Sequence, residues 1–383
     1  MSNTFHMTNS LDNLIFIALV FIKDELRSVS KEGISLIKEA NINIIMITGD
    51  DKKTAYSIAK EAGIITSPNE LVITSNELAN LSDDEIINNY PRIKVVARAL
   101  PQDKSRLVKV LQSINLVVGM TGDGVNDAPA LKKADVGFSM GSGTEVAKEA
   151  SDIVILDDNI LSISKAILYG RTIFKSIRKF IIFQLSVNIC AVSISIIGPL
   201  IGINTPITIV QMLWINMIMD TLAGIAFSYE PPLKEYMQEK PTTKTEPIIN
   251  KYMKYSIITG GLYSSILCLL FLKVPFLNNI IRSSNNNEYL LTAYFTLFVF
   301  LGIFNSFNAR TRRINILSNI KSNKPFIIII AFIIVVQLYI IYNGGSVFRT
   351  YGLTLVELFY IIFLSSTIIP IDWLKKYLLK LTK

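Results

Sequence analysis

The sequence has almost no histidine and very little cysteine. Its one histidine is His6, and its two cysteines, Cys190 and Cys268, both lie inside apolar runs. Ser-His and Cys-His catalysis, zinc chemistry and a disulfide framework are left with almost no material. Acid is scarce in the second half. Residues 1–180 carry a net charge of −1, and residues 181–383 hold only 8 acids against 17 bases, a net of +9. Half of the 383 residues are hydrophobic, and the mean hydropathy is +0.43. That average excludes a disordered chain and is high for a soluble one, so several membrane spans are expected. The overall +8 is read as charge beside a bilayer, with no nucleic-acid partner.

Six apolar segments follow Arg178: Phe180–Ile203, Pro206–Tyr229, Tyr255–Leu272, Leu290–Phe307, Phe326–Tyr342 and Leu353–Trp373. Each is near the ~20 residues that cross a hydrocarbon core. Lysine and arginine crowd the stretch before the first segment, the second and fourth connections and the tail. The positive-inside rule then puts both termini and the N-terminal half in the cytoplasm. Leu14–Ile22 is interrupted by Lys23, Asp24 and Glu25 and lacks a basic n-region, so no signal peptide is expected. Among polar residues in the spans, Gln184 and Asn188 lie one turn apart, as do Asn216 and Asp220. A tight Gly-Ile-Asn-Thr-Pro turn should bring these faces together. One carboxylate with amide carbonyls suits a hard cation such as Ca²⁺, while interhelical hydrogen bonding is the plainer role for the amides. Glu357 opens the last span and is expected to be solvated or snorkelling.

Residues 24–160 alternate helix and strand patterns. Helices are expected at Ser30–Asn41, Asp51–Ala62, Pro101–Ser113 and Glu145–Ala150. Strands are expected at Ile42–Ile47, Lys94–Ala97, Leu116–Met120, Val136–Ser139 and Ile153–Leu156. Such alternation implies an α/β, doubly wound parallel sheet whose ligands bind at the carboxyl ends of the strands. At those ends Asp123 and Asp127 could hold Mg²⁺. Glycines in Thr121–Asp127 let the backbone approach a phosphate. Thr48 and Gly49 add a hydroxyl and an amide, and Lys104 a point charge. Together these describe phosphoryl transfer. Gly141-Ser142-Gly143 imitates a dinucleotide loop, but Val146 takes the third glycine position, so a turn and a helix start are expected.

The run TGDGVNDAPAL at Thr121–Leu131, with KKADVGFSMGSGTEVAKEASDIVILDDN after it, resembles the phosphorylation domain of P-type cation-transporting ATPases. MITGD at Met46–Asp50 resembles that family's second phosphate-contacting motif, and Lys104 in ARALPQDK its phosphate-binding lysine. Asp24-Glu25-Leu26-Arg27 resembles the hinge motif D-P-x-R, with Glu25 in place of proline. FQLSVN and QMLWINMIMDTLAGIAFSYEPP resemble the fifth and sixth spans of plasma-membrane-type calcium pumps. The likeness implies a HAD-like phosphorylation domain followed by six helical spans. It implies Thr48, Gly49, Asp50 and Lys104 as catalytic, and Asp24, Arg27, Thr121, Gly122 and Asn126 as phosphate or hinge residues. It places Mg²⁺ at Asp123 and Asp127. Ala191 stands where reticulum-type calcium pumps and sodium pumps have Glu. Asn188, Asn216 and Asp220 are therefore implied as ligands of one transported Ca²⁺. Gly302 departs from the Gln common at that place.

The resemblance also orders the chain. Residues 1–23 would be the last strand of a nucleotide-binding domain, 24–165 a partial phosphorylation domain, and 166–179 a cytoplasmic stalk. Residues 180–375 would be six transmembrane helices and 376–383 a cytoplasmic tail. No D-K-T-G-T acceptor motif occurs; the nearest string is Asp50-Asp51-Lys52-Lys53-Thr54. The family's actuator loop, nucleotide-binding domain and fourth-span carboxylate are not found either. Mg²⁺ and ATP are expected to serve only an intact pump. Four readings stand: a split or truncated calcium pump needing a separate N-terminal half, a membrane-anchored phosphatase, a non-catalytic interaction protein, and a gene remnant. The missing nucleophile weighs against the phosphatase.

Overall fold

The computed structural model describes residues 26–203, 205–284 and 287–381. Asp24 and the strand expected at Leu14–Ile22 lie outside the described residues.

The α/β half follows from local sequence cues. Helix α1 (Ser28–Glu39) buries the expected stripe Ile34, Ile37 and Ala40. After it the apolar run 42–47 forms only the short strand β1 (Met46–Ile47). Helix α2 (Lys52–Glu61) is capped by Asp51, whose carboxylate accepts from the amides of Lys53 and Thr54 at 2.9 and 3.2 Å. Asp51 is thus a helix cap. Gly63, at φ +79°, takes the left-handed position that ends α2.

The sequence reading assigned nothing between Gly63 and Lys94. There the chain forms strand β2 (Leu71–Thr74), helix α3 (Ser75–Asn80) and helix α4 (Asp83–Asn89). Both helices start in a capping box, Thr74 with Glu77 and Ser82 with Glu85. These signals were present in the sequence but lay in short elements without a clear apolar period. Strand β3 (Ile93–Ala97), fully buried, leads into α5 (Pro101–Ser113), with proline at its first position. Strand β4 (Gly119–Gly122), helix α6 (Ala128–Lys133), strand β5 (Val136–Met140), helix α7 (Glu145–Glu149) and strand β6 (Ile153–Ile155) complete this half.

All strand pairs are parallel, but one sheet becomes two. The orders are β1-β3-β2 and β4-β5-β6. Strands β1 and β4 are edges, and no described strand lies between them. The two sheets still share apolar contacts, since Ile44 packs with Ala55 and Val95 on one side and with Phe138 and Ile155 on the other.

Helix α8 (Ile160–Leu200) has 41 residues, or about 60 Å at 1.5 Å per residue. This single rod is about twice the thickness of a hydrocarbon core. Five further helices, Ile209–Ser228, Lys251–Lys273, Glu288–Arg310, Lys324–Asn343 and Leu355–Leu381, are also long and apolar enough to cross a membrane. The fourth is the most enclosed, 78% of its apolar window being buried against 33% for the first, fifth and sixth. The second contains a π-helical stretch, Trp214–Met219, immediately before Asp220. Arg171 of α8 ties the halves together. Its guanidinium donates to the Ala40 carbonyl at 2.7 Å and to those of Tyr236, Met237 and Glu239 at 2.7, 3.1 and 2.9 Å.

Candidate functional site

The first group of site residues sits at the strand ends. Gly122 is there for contact: a Cβ at that position would lie 2.4 Å from the Asp127 Cβ. This lets Asp127 fold back under its own loop, where it is 5% exposed. One Asp127 oxygen accepts from the amides of Asp123 and Gly124, both at 3.2 Å. The other accepts from Lys104 Nζ at 2.5 Å. Burial raises the Asp127 carboxyl, but Lys104 and the loop amides outweigh it and hold its pKa below the usual aspartate value. Lys104 opens the helix after β3, and Asp127 follows β4, so their ion pair bridges the ends of the two sheets.

Both Asp127 oxygens are engaged within the protein, and the Asp123 side chain is exposed. Asp123 is therefore the carboxylate of this loop open to a cation. Among the described residues no three His, Cys, Asp or Glu side chains form a ready metal cage. Mg²⁺ does not need one, because it takes one or two carboxylates and completes its shell with phosphate and water. Thr121 and Asn126 are exposed beside Asp123, and the turn Gly141–Thr144 closes over the loop through the Thr144 amide, 2.8 Å from the Asp123 carbonyl. Thr144 also caps α7, so the expected turn and helix start is what the glycines form.

Thr48, Gly49 and Asp50 make a separate turn after β1. The Thr48 hydroxyl donates to Asp50 at 2.7 Å, and the backbone of this turn pairs with Arg98 and Ala99, after β3. The Gly49 position is open, with nothing within 4 Å of a Cβ built there. Arg27 lies at the start of α1, its guanidinium 3.4 Å from the Asp158 carbonyl.

The second group is in the membrane half. Asp220 is 3% exposed. One of its oxygens accepts from the Gln184 side-chain amide at 2.5 Å, across the first and second spans. The other Asp220 oxygen and the Gln184 carbonyl oxygen are both buried without a partner. Two buried acceptors with no donor, on side chains that are hydrogen-bonded to each other, fit a cation, which supplies what neither can give the other. The expected meeting of the two faces occurs through one pair. Gln184, not Asn188, reaches Asp220; Asn188 is half-buried, and Asn216 is exposed on the π-helical stretch. The changed winding of that stretch places Asn216 and Asp220 in different surroundings although they are four residues apart.

Glu357 is not solvated. It is 1% exposed and accepts from the Arg282 amide and guanidinium at 2.8 and 3.1 Å and from the Thr354 amide at 2.7 Å. It closes a capping box and an ion pair, neither of which its place at a span start reveals. Asp372 in the last span is buried too, against Lys375 and Lys376. Among the described residues, Asp220 is the buried span carboxylate without a cationic partner.

Comparison with known proteins decides the family. Residues 204–378 match the family model "Cation transporting ATPase, C-terminus", and residues 5–135 match "haloacid dehalogenase-like hydrolase". The chain belongs to the P-type cation-transporting ATPases. It is 40% identical over 353 residues to plasma-membrane-type calcium-transporting ATPase 5 of Oryza sativa subsp. japonica, covering 90% of this chain and 32% of that protein. It is 38% identical over 399 residues to calcium-transporting ATPase PAT1 of Dictyostelium discoideum, covering 95% and 36%. With calcium-transporting ATPase 2 of Schizosaccharomyces pombe the identity is 38% over 352 residues, covering 91% and 27%. The chain thus spans about a third of the length of the curated relatives it matches. Its HAD-like domain and six membrane-capable helices are those of the C-terminal part of such a pump.

Proposed function

We propose that this chain is the C-terminal portion of an ATP-driven calcium transporter. It carries the phosphate and Mg²⁺ pole and half of the membrane cation site. The observation that supports the transport reading best is that Asp220 and its hydrogen-bond partner Gln184 each keep a buried oxygen without a partner. A carboxylate deep in a span is costly unless a cation or proton compensates. Gln184 adds a neutral oxygen from the facing span, whereas Asn216, on the same span as Asp220, is exposed and Asn188 is half-buried. The ligand count is low, which favours a single Ca²⁺. A further helix would complete the shell.

At the strand ends, Mg²⁺ would supply charge neutralisation on the phosphoryl oxygens. Asp123 would hold it, and Asp127 would fix Lys104 so that its ammonium stays at the phosphate pole. Thr48 and Gly49 would donate to phosphoryl oxygens from the neighbouring strand end. The aspartyl acceptor, the nucleotide pocket and the remaining cation oxygens would come from a separate N-terminal half. The α/β domain and both chain termini would face the cytoplasm, as the basic connections support.

The chain alone should neither hydrolyse ATP nor form a phosphoenzyme, because covalent catalysis needs its nucleophile. Purified chain is incubated with labelled ATP, Mg²⁺ and Ca²⁺, then quenched in acid. Label that survives the quench and leaves with hydroxylamine would show an acceptor within these residues and overturn the split-pump reading. Label that appears only when an N-terminal half is co-expressed would support it.

A further inference from the structure

At the end of the bundle nearer the α/β domain, one buried carboxylate ties several helices together. Glu230 follows the second span, Ile209–Ser228, and its side chain is 5% exposed. One of its oxygens accepts from Lys179 of α8 at 2.6 Å. The other accepts from the Asn323 side chain at 2.9 Å and lies 3.5 Å from the Arg310 guanidinium. Arg310 ends the fourth span and also donates to the carbonyls of Ile316 and Ser318. Asn323 is fully buried and caps the fifth span by accepting from the Phe326 amide at 3.0 Å. Both Glu230 oxygens are therefore satisfied, and this carboxylate is not left for a cation.

The first and second spans are joined at two heights. Nearer the α/β domain is the Lys179–Glu230 pair, and deeper is the Gln184–Asp220 hydrogen bond. Lys179 and Gln184 lie on one unbroken helix. Regular α-helix, Asp220–Ser228, leads from Asp220 towards Glu230. An α-helix has a fixed rise and turn per residue, so what fixes one height constrains the other. The outer hold on the second span is Trp214, which donates to Gln337 at 2.9 Å. It reaches Asp220 only through the π-helical stretch Trp214–Met219, a winding seldom kept for more than a turn.

We propose that Glu230 is a positioning residue for the cation pair. By holding Lys179 it sets the height and rotation at which Asp220 meets Gln184, without touching the ion. The proposal rests on the transport reading in taking Asp220 as the cation group, and it adds what keeps that group in place. One side-chain hydrogen bond is a modest constraint, whereas a binding constellation needs its groups held by supporting contacts. A buried ion pair with its remaining oxygen hydrogen-bonded is such a support, because its charge-assisted geometry is specific. Neutralising buried charge is a different role, and the two cations separate it from positioning. Both Lys179 and Arg310 face the carboxylate, but only Lys179 belongs to α8.

The test reads the distance between positions 184 and 220 in the full chain without calcium, so failure of the calcium reading would leave it untouched. Cys190 and Cys268 are replaced by alanine. Gln184→Cys with Asp220→Cys then gives a reporter pair for a short bifunctional methanethiosulfonate, with the deeper hydrogen bond removed. Tyr263→Cys with Thr367→Cys gives a control pair between the third and last spans, where the native hydroxyls meet at 2.5 Å. Glu230→Gln and Lys179→Met should each slow reporter cross-linking about tenfold, the scale of coupling within one network, and the double variant should be no slower than either. The control pair should be unchanged, and Arg310→Gln should leave the reporter within about twofold of its parent. An unchanged reporter rate in Glu230→Gln and Lys179→Met would overturn the proposal. So would equal slowing of reporter and control, which would make Glu230 a general support of the bundle. Equal slowing by Lys179→Met and Arg310→Gln would reduce it to a charge neutraliser and overturn the proposal too. Should Glu230→Gln not fold, Lys179→Met set against Arg310→Gln decides the matter alone.

Discussion

Two buried aspartates in this molecule stand in opposite conditions. Asp127 accepts from two loop amides and from Lys104, so nothing more is asked of it. Asp220 accepts one hydrogen bond and keeps one oxygen without a partner. A satisfied carboxylate shapes its surroundings, whereas an unsatisfied one waits for a ligand. Asp127 therefore braces its own loop and Lys104, and Asp220 is the carboxylate left for the proposed cation. Sequence alone made both of them metal ligands.

The comparison can be broken most decisively at Asp220. In a pump reassembled with an N-terminal half, Asp220→Asn should lower Ca²⁺-dependent phosphorylation by about a thousandfold, the scale of losing a buried charge worth about 4 kcal/mol. Near-normal phosphorylation at ordinary Ca²⁺ levels would move the cation site elsewhere.

Asp127→Asn tests the brace. It should weaken the α/β domain by about 3 kcal/mol, because it leaves Lys104 unpaired. The effect is measured as lost hydrogen-exchange protection in β4 and α6. Its pH dependence follows from the lowered carboxyl. An aspartate whose folded pKa is depressed stabilises fully above its unfolded value and loses that contribution as pH falls through the folded one. The gap between wild type and variant should thus be full at neutral pH and close in strong acid. A gap that persists there would mean that Asp127 acts by shape and not by charge.

Asp123 should separate cleanly from Asp127. Asp123→Asn should reduce phosphoenzyme formation in the reassembled pump by about a hundredfold, as for one electrostatic stabiliser, yet leave hydrogen exchange unchanged. If exchange in β4 rises as much as in Asp127→Asn, the distinction between the two carboxylates is lost.

The smallest expected effect belongs to Glu357. Glu357→Gln breaks a pair whose Arg282 partner is 44% exposed, so screening limits the cost to about 2 kcal/mol. Thermal unfolding of the full chain in detergent should show it, while Ca²⁺ activation of the reassembled pump stays unchanged. A Ca²⁺ affinity that falls further in Glu357→Gln than in Asp220→Asn would reverse the roles assigned to the two residues.

Much of this architecture is legible in residues 1–383 because the signals are local. Apolar runs of near 20 residues mark spans whatever they pack against. The unbroken TGDGVNDAPAL run points to the phosphorylation domain by itself. Gly63 and Gly141–Gly143 end or open elements as their spacing implied. The strands were harder. The run 42–47 looks like one buried strand, but only Met46 and Ile47 pair with Val95 and Val96, because a strand extends only as far as its neighbour does.

What the tertiary structure alone decided is which polar groups are satisfied. No local pattern shows that Gln184 rather than Asn188 reaches Asp220, since the π-helical stretch at Trp214–Met219 changes how the second span presents its side chains. Nor could it show that Glu357 finds Arg282 some 75 residues away, or that Glu230 meets Lys179, Asn323 and Arg310. Periodicity reports how one helix faces its surroundings. Satisfaction of a buried oxygen depends on donors from helices distant in sequence, and only the packed bundle brings them within the roughly 3 Å that a hydrogen bond needs.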